Sequence, residues 1–237
     1  MLFYIVLALG IVATVVFLIK RNADVKIENV ILKAIASVLF IFTTLAAMYS
    51  NPSCPREYGF LIVCGACFGL FGDIWLDMKY AYSQDADKLL KAGFLSFLVG
   101  HIFYSAAMVY AFELGIVDLL IGAAGAVIIA VFTATTEKLL KVQYGKFKIL
   151  TVTYMAFLGF TVALSFAAVL STHCSLPALI LFIGMVLFIA SDAVLSGTYF
   201  GEGKTRKFDI VLNHTLYYAA QYLIAASVFA YNIVSVS

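Results

Sequence analysis

Eight runs of predominantly apolar residues, most of them about twenty long, fill nearly all of this 237-residue chain and leave it little choice of fold. They cover 2–19, 30–49, 58–77, 89–112, 115–134, 148–170, 176–199 and 209–234. The hydrocarbon core of a bilayer is about 30 Å thick and a helix rises about 1.5 Å per residue, so each run has the length of one crossing. Composition agrees: 64% of residues are hydrophobic and 12% charged, against about half and a quarter in a soluble domain. The expectation is an all-α polytopic membrane bundle of about eight transmembrane helices, forming one transmembrane domain over 1–237. Lys20 and Arg21 follow the first run where a signal peptide would carry a small-residue cleavage site, so Met1–Ile19 reads as a retained span.

The basic residues orient the bundle. Lys20, Arg21 and Lys26 follow the first run, Lys79, Lys88 and Lys91 the third, Lys138, Lys141, Lys146 and Lys148 the fifth, and Lys204, Arg206 and Lys207 the seventh. The intervening loops hold only Arg56, and the remaining cation, Lys33, lies inside the second run. Cytoplasmic loops carry the excess of Lys and Arg, so both termini are expected on the non-cytoplasmic side. A net charge of +2 is too small to argue for a nucleic-acid partner.

A repeat is visible at half the chain length. Gly72-Asp73 ends the third run as Ser191-Asp192 ends the seventh, and His101, Tyr104 and Ala107 recur in the following run as His214, Tyr217 and Ala220. One reading is two parallel four-helix repeats, 1–113 and 114–237, related by an axis along the membrane normal. The other is that small and aromatic residues recur by chance in membrane helices.

A charge at mid-bilayer is costly, so an intramembrane ionisable group is a site candidate by default. Lys33, Asp73, His101, Tyr104, Tyr154, Asp192, His214, Tyr218 and Gln221 come from six helices and all fall in the membrane half next to the basic loops. Together they suggest a polar pocket inside the bundle, open toward the cytoplasm or inner leaflet. Each has a plainer reading. Lys33 can snorkel to the interface, the histidines can bond a neighbouring helix, and the tyrosines can simply pack. Asp77, beside Lys79, reads as a solvated helix end. Asp73 and Asp192 are hardest to explain away, because a carboxylate at that depth needs a partner or a proton.

Two His and two Asp make a zinc set conceivable, but no HExxH-like spacing supports one, and no metal or cofactor is expected. Cys64 and Cys67 read as packing residues. Cys54 and Cys174, in two non-cytoplasmic loops, either pair as a disulfide or stay free.

These residues resemble the YhhN-like membrane protein family, which includes the lysoplasmalogenases. The resemblance rests on Lys33, Gly72-Asp73-Ile74-Trp75-Leu76, Phe97-Leu98-Val99-Gly100-His101-Ile102-Phe103-Tyr104, Phe188-Ile189-Ala190-Ser191-Asp192 and Tyr218-Ala219-Ala220-Gln221, in that order on successive runs. Ala34 and Trp75 stand where the family usually has proline and phenylalanine, and His214 is not expected from the family. The resemblance implies hydrolysis of the vinyl ether of an alkenyl lysophospholipid to a fatty aldehyde and a glycerophospho-alcohol, in a bacterial plasma membrane or the endoplasmic reticulum. That chemistry protonates the alkenyl carbon and adds water to the resulting oxocarbenium ion. Two carboxylates in unlike settings, Asp73 and Asp192, supply an acid and an anion, as in glycosidases. Lys33 would pair with the anion or hold the substrate phosphate. His101, Tyr104, Tyr154, His214, Tyr218 and Gln221 would position water and headgroup. Paired intramembrane carboxylates with a lysine also suit a proton-coupled transporter, and a non-enzymatic lipid-binding protein is the third reading.

Overall fold

The computed structural model describes residues 1–21, 27–201 and 206–231; Lys26 and Lys204 of the basic loops, and 232–234 of the last run, lie outside the described residues. Eight long helices follow the apolar runs: α1 Leu2–Lys20, α2 Ile27–Ser50, α3 Arg56–Ala81, α4 Ala86–Ala111, α5 Ile116–Thr135, α7 Lys148–Ser171, α8 Leu176–Phe200 and α9 Lys207–Phe229, with one four-residue turn, α6 Glu137–Leu140, in the loop after α5. Extended pairing among the described residues is limited to one antiparallel bridge between Val142 and Gly201.

Seven of these helices are long and apolar enough to cross a membrane. The expected eighth, α9, has the length at 23 residues but not the apolarity. The reason lies in its position. Asn213, His214, Tyr217, Tyr218, Gln221 and Tyr222 are all buried inside the protein, where partners replace the need for an apolar surface.

Six helices form a ring in the order α2, α3, α4, α7, α8, α9, closed by α9 against α2. α1 lies outside on α2 and α5 lies outside on α7. The neighbour pattern is therefore the same when the halves are exchanged: α1–α2–α3–α4 pack as α5–α7–α8–α9 do, and α4 meets α7 as α9 meets α2. The outer helices are the lipid-like ones, with large apolar side chains such as Leu120, Val127 and Ile128 of α5 fully on the surface.

Both ends of the bundle are tied. At the end away from the basic loops, Phe3 stacks on Phe229 with ring centroids 4.3 Å apart. There the Asn51 amide caps α9, donating to the carbonyls of Val228, Phe229 and Tyr231. Cys54 and Cys174, in the loops at this end, are both free, and burial pushes the Cys54 thiol up to about 12. At the basic end, the loop after α5 docks on α8 through the Gln143 N–H to the Phe200 carbonyl at 2.8 Å. Glu137 closes that loop, accepting from Lys148 at 2.7 Å and from the Tyr144 N–H at 3.2 Å. These bonds, the lysine first, hold its carboxyl below the usual range.

Glycine sets how closely the outer helix approaches. A Cβ placed on Gly125 of α5 would lie 2.9 Å from the Gly159 carbonyl oxygen of α7, and one on Gly159 would lie 2.9 Å from that of Gly125. The two backbones touch, which is the usual way membrane helices gain dispersion energy without a hydrophobic drive. Gly125→Leu should overpack this contact at a cost of about 1–3 kcal/mol, read as a lower melting temperature in detergent. An unchanged melt would mean that α5 does not depend on this approach.

Candidate functional site

Successive helices alternate in direction, so the end of α1, the start of α2, the end of α3, the starts of α4 and α7, the end of α8 and the start of α9 meet at the basic-loop end. Asp73 and Asp77 are one turn apart on α3, as Lys33 and Ser37 are on α2, so two short faces meet like a ladder. The Lys33 ammonium lies 3.3 Å from Asp73 Oδ1 and 3.4 Å from Asp77 Oδ1. Arg21, at the end of α1, brings Nη2 to 3.1 Å from Asp77 Oδ1. Ser37 Oγ donates to Asp73 Oδ2 at 2.6 Å and lies 3.0 Å from the Tyr218 hydroxyl, which donates to the Lys33 carbonyl at 3.1 Å. The Tyr217 hydroxyl also reaches the Asp73 carboxylate. None of the four charged residues is more than 4% exposed. Two cations and two carboxylates thus cancel in a place that cannot hold net charge cheaply.

Asp192 on α8 has a different setting. Its partner is the Tyr154 hydroxyl of α7, which donates to Oδ2; no cation pairs with it among the described residues. Beside them lies His101 of α4, 1% exposed, with its ring centroid 4.7 Å from that of Phe188 and 6.1 Å from that of Tyr154. Both His101 nitrogens are buried without a hydrogen-bond partner among the described residues. A buried imidazole left this way pays the full desolvation cost of its polar atoms, which a water or a substrate group in reach would relieve.

A polar chain links α4 to α9 between the two centres. Tyr104 donates to Gln221 Oε1 at 2.8 Å, and Gln221 Nε2 donates to the Tyr217 hydroxyl at 3.2 Å. Gly69 makes room for it, since a Cβ there would lie 3.0 Å from Gln221 Nε2 and 3.2 Å from the Tyr217 oxygen. Phe188 packs edge-on to Tyr217 at 5.4 Å, filling the space between.

Lys33, Asp73, Tyr218, Gln221 and Tyr104 therefore fall in one connected network, with Asp192, Tyr154 and His101 against it. His214 stands apart, edge-on to Phe17 at 5.1 Å, in a small cavity with Arg21. Asp77 is not the solvated helix end expected from its neighbour Lys79. It is 1% exposed and held by Arg21 and Lys33. Arg21 is likewise a buried partner and not a loop charge. Ser37, Tyr217, Gly69 and Asn213 also went unread. Asn213 donates to the Ser191 carbonyl and hydroxyl at 2.8 and 2.9 Å, pinning α9 to α8 next to Asp192. A one-turn spacing from Lys33 and Asp73 was the available signal for Ser37 and Asp77. No three His, Cys, Asp or Glu side chains gather as a metal site among the described residues.

Residues 28–228 match the model of the YhhN family. No curated protein and no solved structure matches the chain.

Lys33→Met leaves two buried carboxylates facing one cation and should destabilise the fold by about 3–5 kcal/mol. Adding Asp73→Asn restores the charge balance and should recover part of that loss in a thermal melt. A double variant no more stable than the single one would show that the balance of charge is not what Lys33 supplies.

Proposed function

The chain belongs to the YhhN family, whose model matches most of its length, and we propose that it is an integral membrane lipid hydrolase cleaving the vinyl ether of a lysoplasmalogen. The products are a fatty aldehyde and a glycerophospho-alcohol. The observation that carries this reading is the unlike setting of two neighbouring buried carboxylates. Asp73 lies 3.3 Å from an ammonium and accepts from Ser37, whereas the hydrogen-bond partner of Asp192 is a phenol.

That difference assigns the roles. A buried carboxylate beside a cation is stable as the anion, and one without a cation is less costly to bury as the acid. Asp192 is the proton donor, and it protonates the alkenyl carbon one bond removed from the ether-bearing carbon. The ether carbon becomes an oxocarbenium ion, which the Asp73 anion stabilises. Water adds to it, giving up a proton, and the hemiacetal collapses to aldehyde and alcohol. One water is consumed and the catalytic groups return to their starting states. His101, with two unpartnered nitrogens beside Asp192, orients that water. Lys33 holds Asp73 in its charged form, and Tyr218, Gln221 and Tyr104 fix the geometry around it.

Purified protein should release fatty aldehyde from an alkenyl lysophospholipid. Asp192→Asn and Asp73→Asn should each lower turnover by about 10²–10⁴-fold, the range a general acid or base contributes, while melting as cooperatively as the wild type. Tyr154→Phe removes one hydrogen bond to a reacting group and should cost about tenfold. Wild-type turnover that survives in both aspartate variants would sink the two-carboxylate mechanism. An intact lipid after incubation with well-folded wild type would sink the reaction itself.

A further inference from the structure

Next to the ion-pair ladder the bundle leaves a small cavity of about 70 Å³. The ends of four helices line it: Arg21 from α1, Tyr80 from α3, Thr198 and Tyr199 from α8, and Asn213 and His214 from α9. The space is too small for an alkenyl chain and has room for a group the size of a few waters, a tetrahedral oxyanion among them.

The chemistry of the lining points the same way. Arg21 is 4% exposed and spends Nη2 on Asp77, but Nε and Nη1 have no partner among the described residues. A guanidinium offers five donors in a planar fork that matches phosphate, and burying two of its nitrogens unpaired is costly. Charge adds a second argument. Lys79 packs its ammonium over the Tyr199 ring, 3.0 Å from the centroid, and interacts with Arg21, Lys33 and Asp77. An anion seated beside Arg21 and Lys79 meets their positive potential.

We propose that this cavity seats a phosphate group through the free edge of the Arg21 guanidinium, and that the group is the phosphodiester of the lipid headgroup. The anion site stands on the geometry alone, while its assignment to the headgroup rests on the hydrolase reading above. Arg21 precedes residues 28–228, so the family match does not reach it. A phosphodiester carries one negative charge and is less costly to bury beside a single guanidinium edge than inorganic phosphate, which near neutral pH carries more. Seated at the basic-loop end, the headgroup leaves the rest of the lipid to run toward Asp73 and Asp192.

Titration calorimetry of the full chain in detergent tests this with two probes, glycerophosphoethanolamine, which has the diester and no chain, and inorganic phosphate. The wild type should bind the diester, and Arg21→Lys, which keeps a charge for Asp77 but loses the fork, should bind it at least tenfold more weakly. Tyr80→Phe, at a partly exposed position, is the second variant should Arg21→Lys not fold, with an expected loss of at least threefold. For the intact lysolipid, KM should rise in step while kcat stays within about twofold. With a 1-alkenylglycerol lacking phosphate, the KM difference between wild type and Arg21→Lys should disappear. Arg21-dependent binding of inorganic phosphate without the diester keeps the anion site and removes the headgroup assignment. Arg21-dependent binding of the diester by a protein that cleaves no vinyl ether keeps the site and removes the reaction. No binding of either probe, or equal binding by wild type and both variants, overturns the inference.

Discussion

A carboxylate in a membrane interior must have its charge answered, and the basic end of this bundle is arranged around that requirement. Lys33 reaches Asp73 and Asp77 at 3.3 and 3.4 Å, and Arg21 answers the second of them at 3.1 Å. These contacts tie the end of α1 to α2 and α3. Ser37 and Tyr218 then extend the ladder to α9, which closes the ring against α2. Removing any one charge leaves another uncompensated, and such a loss costs far more than a surface pair is worth. The polar interior is therefore a fixed arrangement. Its side chains are held in one geometry before any substrate arrives, as electrostatic catalysis requires.

Asp73 and Asp192 stand at like places along their helices and are met in like ways. In each half a residue near the start of the second long helix meets an aspartate near the end of the third: Lys33 with Asp73, and Tyr154 with Asp192. The fourth helix of each half enters beside the other half's aspartate, so His101 lies by Asp192's partner Tyr154 while Tyr217 and Tyr218 lie by Asp73. Lysine at one place and tyrosine at the other separate an ion pair from a phenol hydrogen bond. Two like positions thereby acquire unlike chemistry, on which the proposed division into acid and anion draws.

The sequence was legible where each residue answers to lipid and opaque where it answers to another helix. Apolar length located α1 to α5, α7 and α8, and the alternation of basic loops aligned their ends. Asp73 and Asp192 stood out because lipid has no place for them. Asp77 and Arg21 did not, since each lies near a helix end where water is the obvious partner; their pairing joins residues 56 positions apart. Tyr217 and Tyr218 point about 100° apart on the helix, so no single inward face holds both. Both turn inward because α9 is surrounded, and the same burial makes it the one long helix that hydropathy undervalues.

Neutrality also limits which reactions such a site can perform. Arg21, Lys33, Asp73 and Asp77 sum to zero, so charge created during a reaction has to be balanced within the site and not imported through a low-dielectric surround. Vinyl ether protonation meets that condition. In the proposed reaction Asp192 would become an anion as the substrate becomes a cation, with the Asp73 carboxylate already held by Lys33. The return of the water's proton erases both charges together. A carrier moving protons across the bundle would instead need each aspartate to change charge alone, with Lys33 and Arg21 facing a different imbalance at each step. The rigid pairing of those cations suits a proton that leaves and returns within one turnover better than one that passes through.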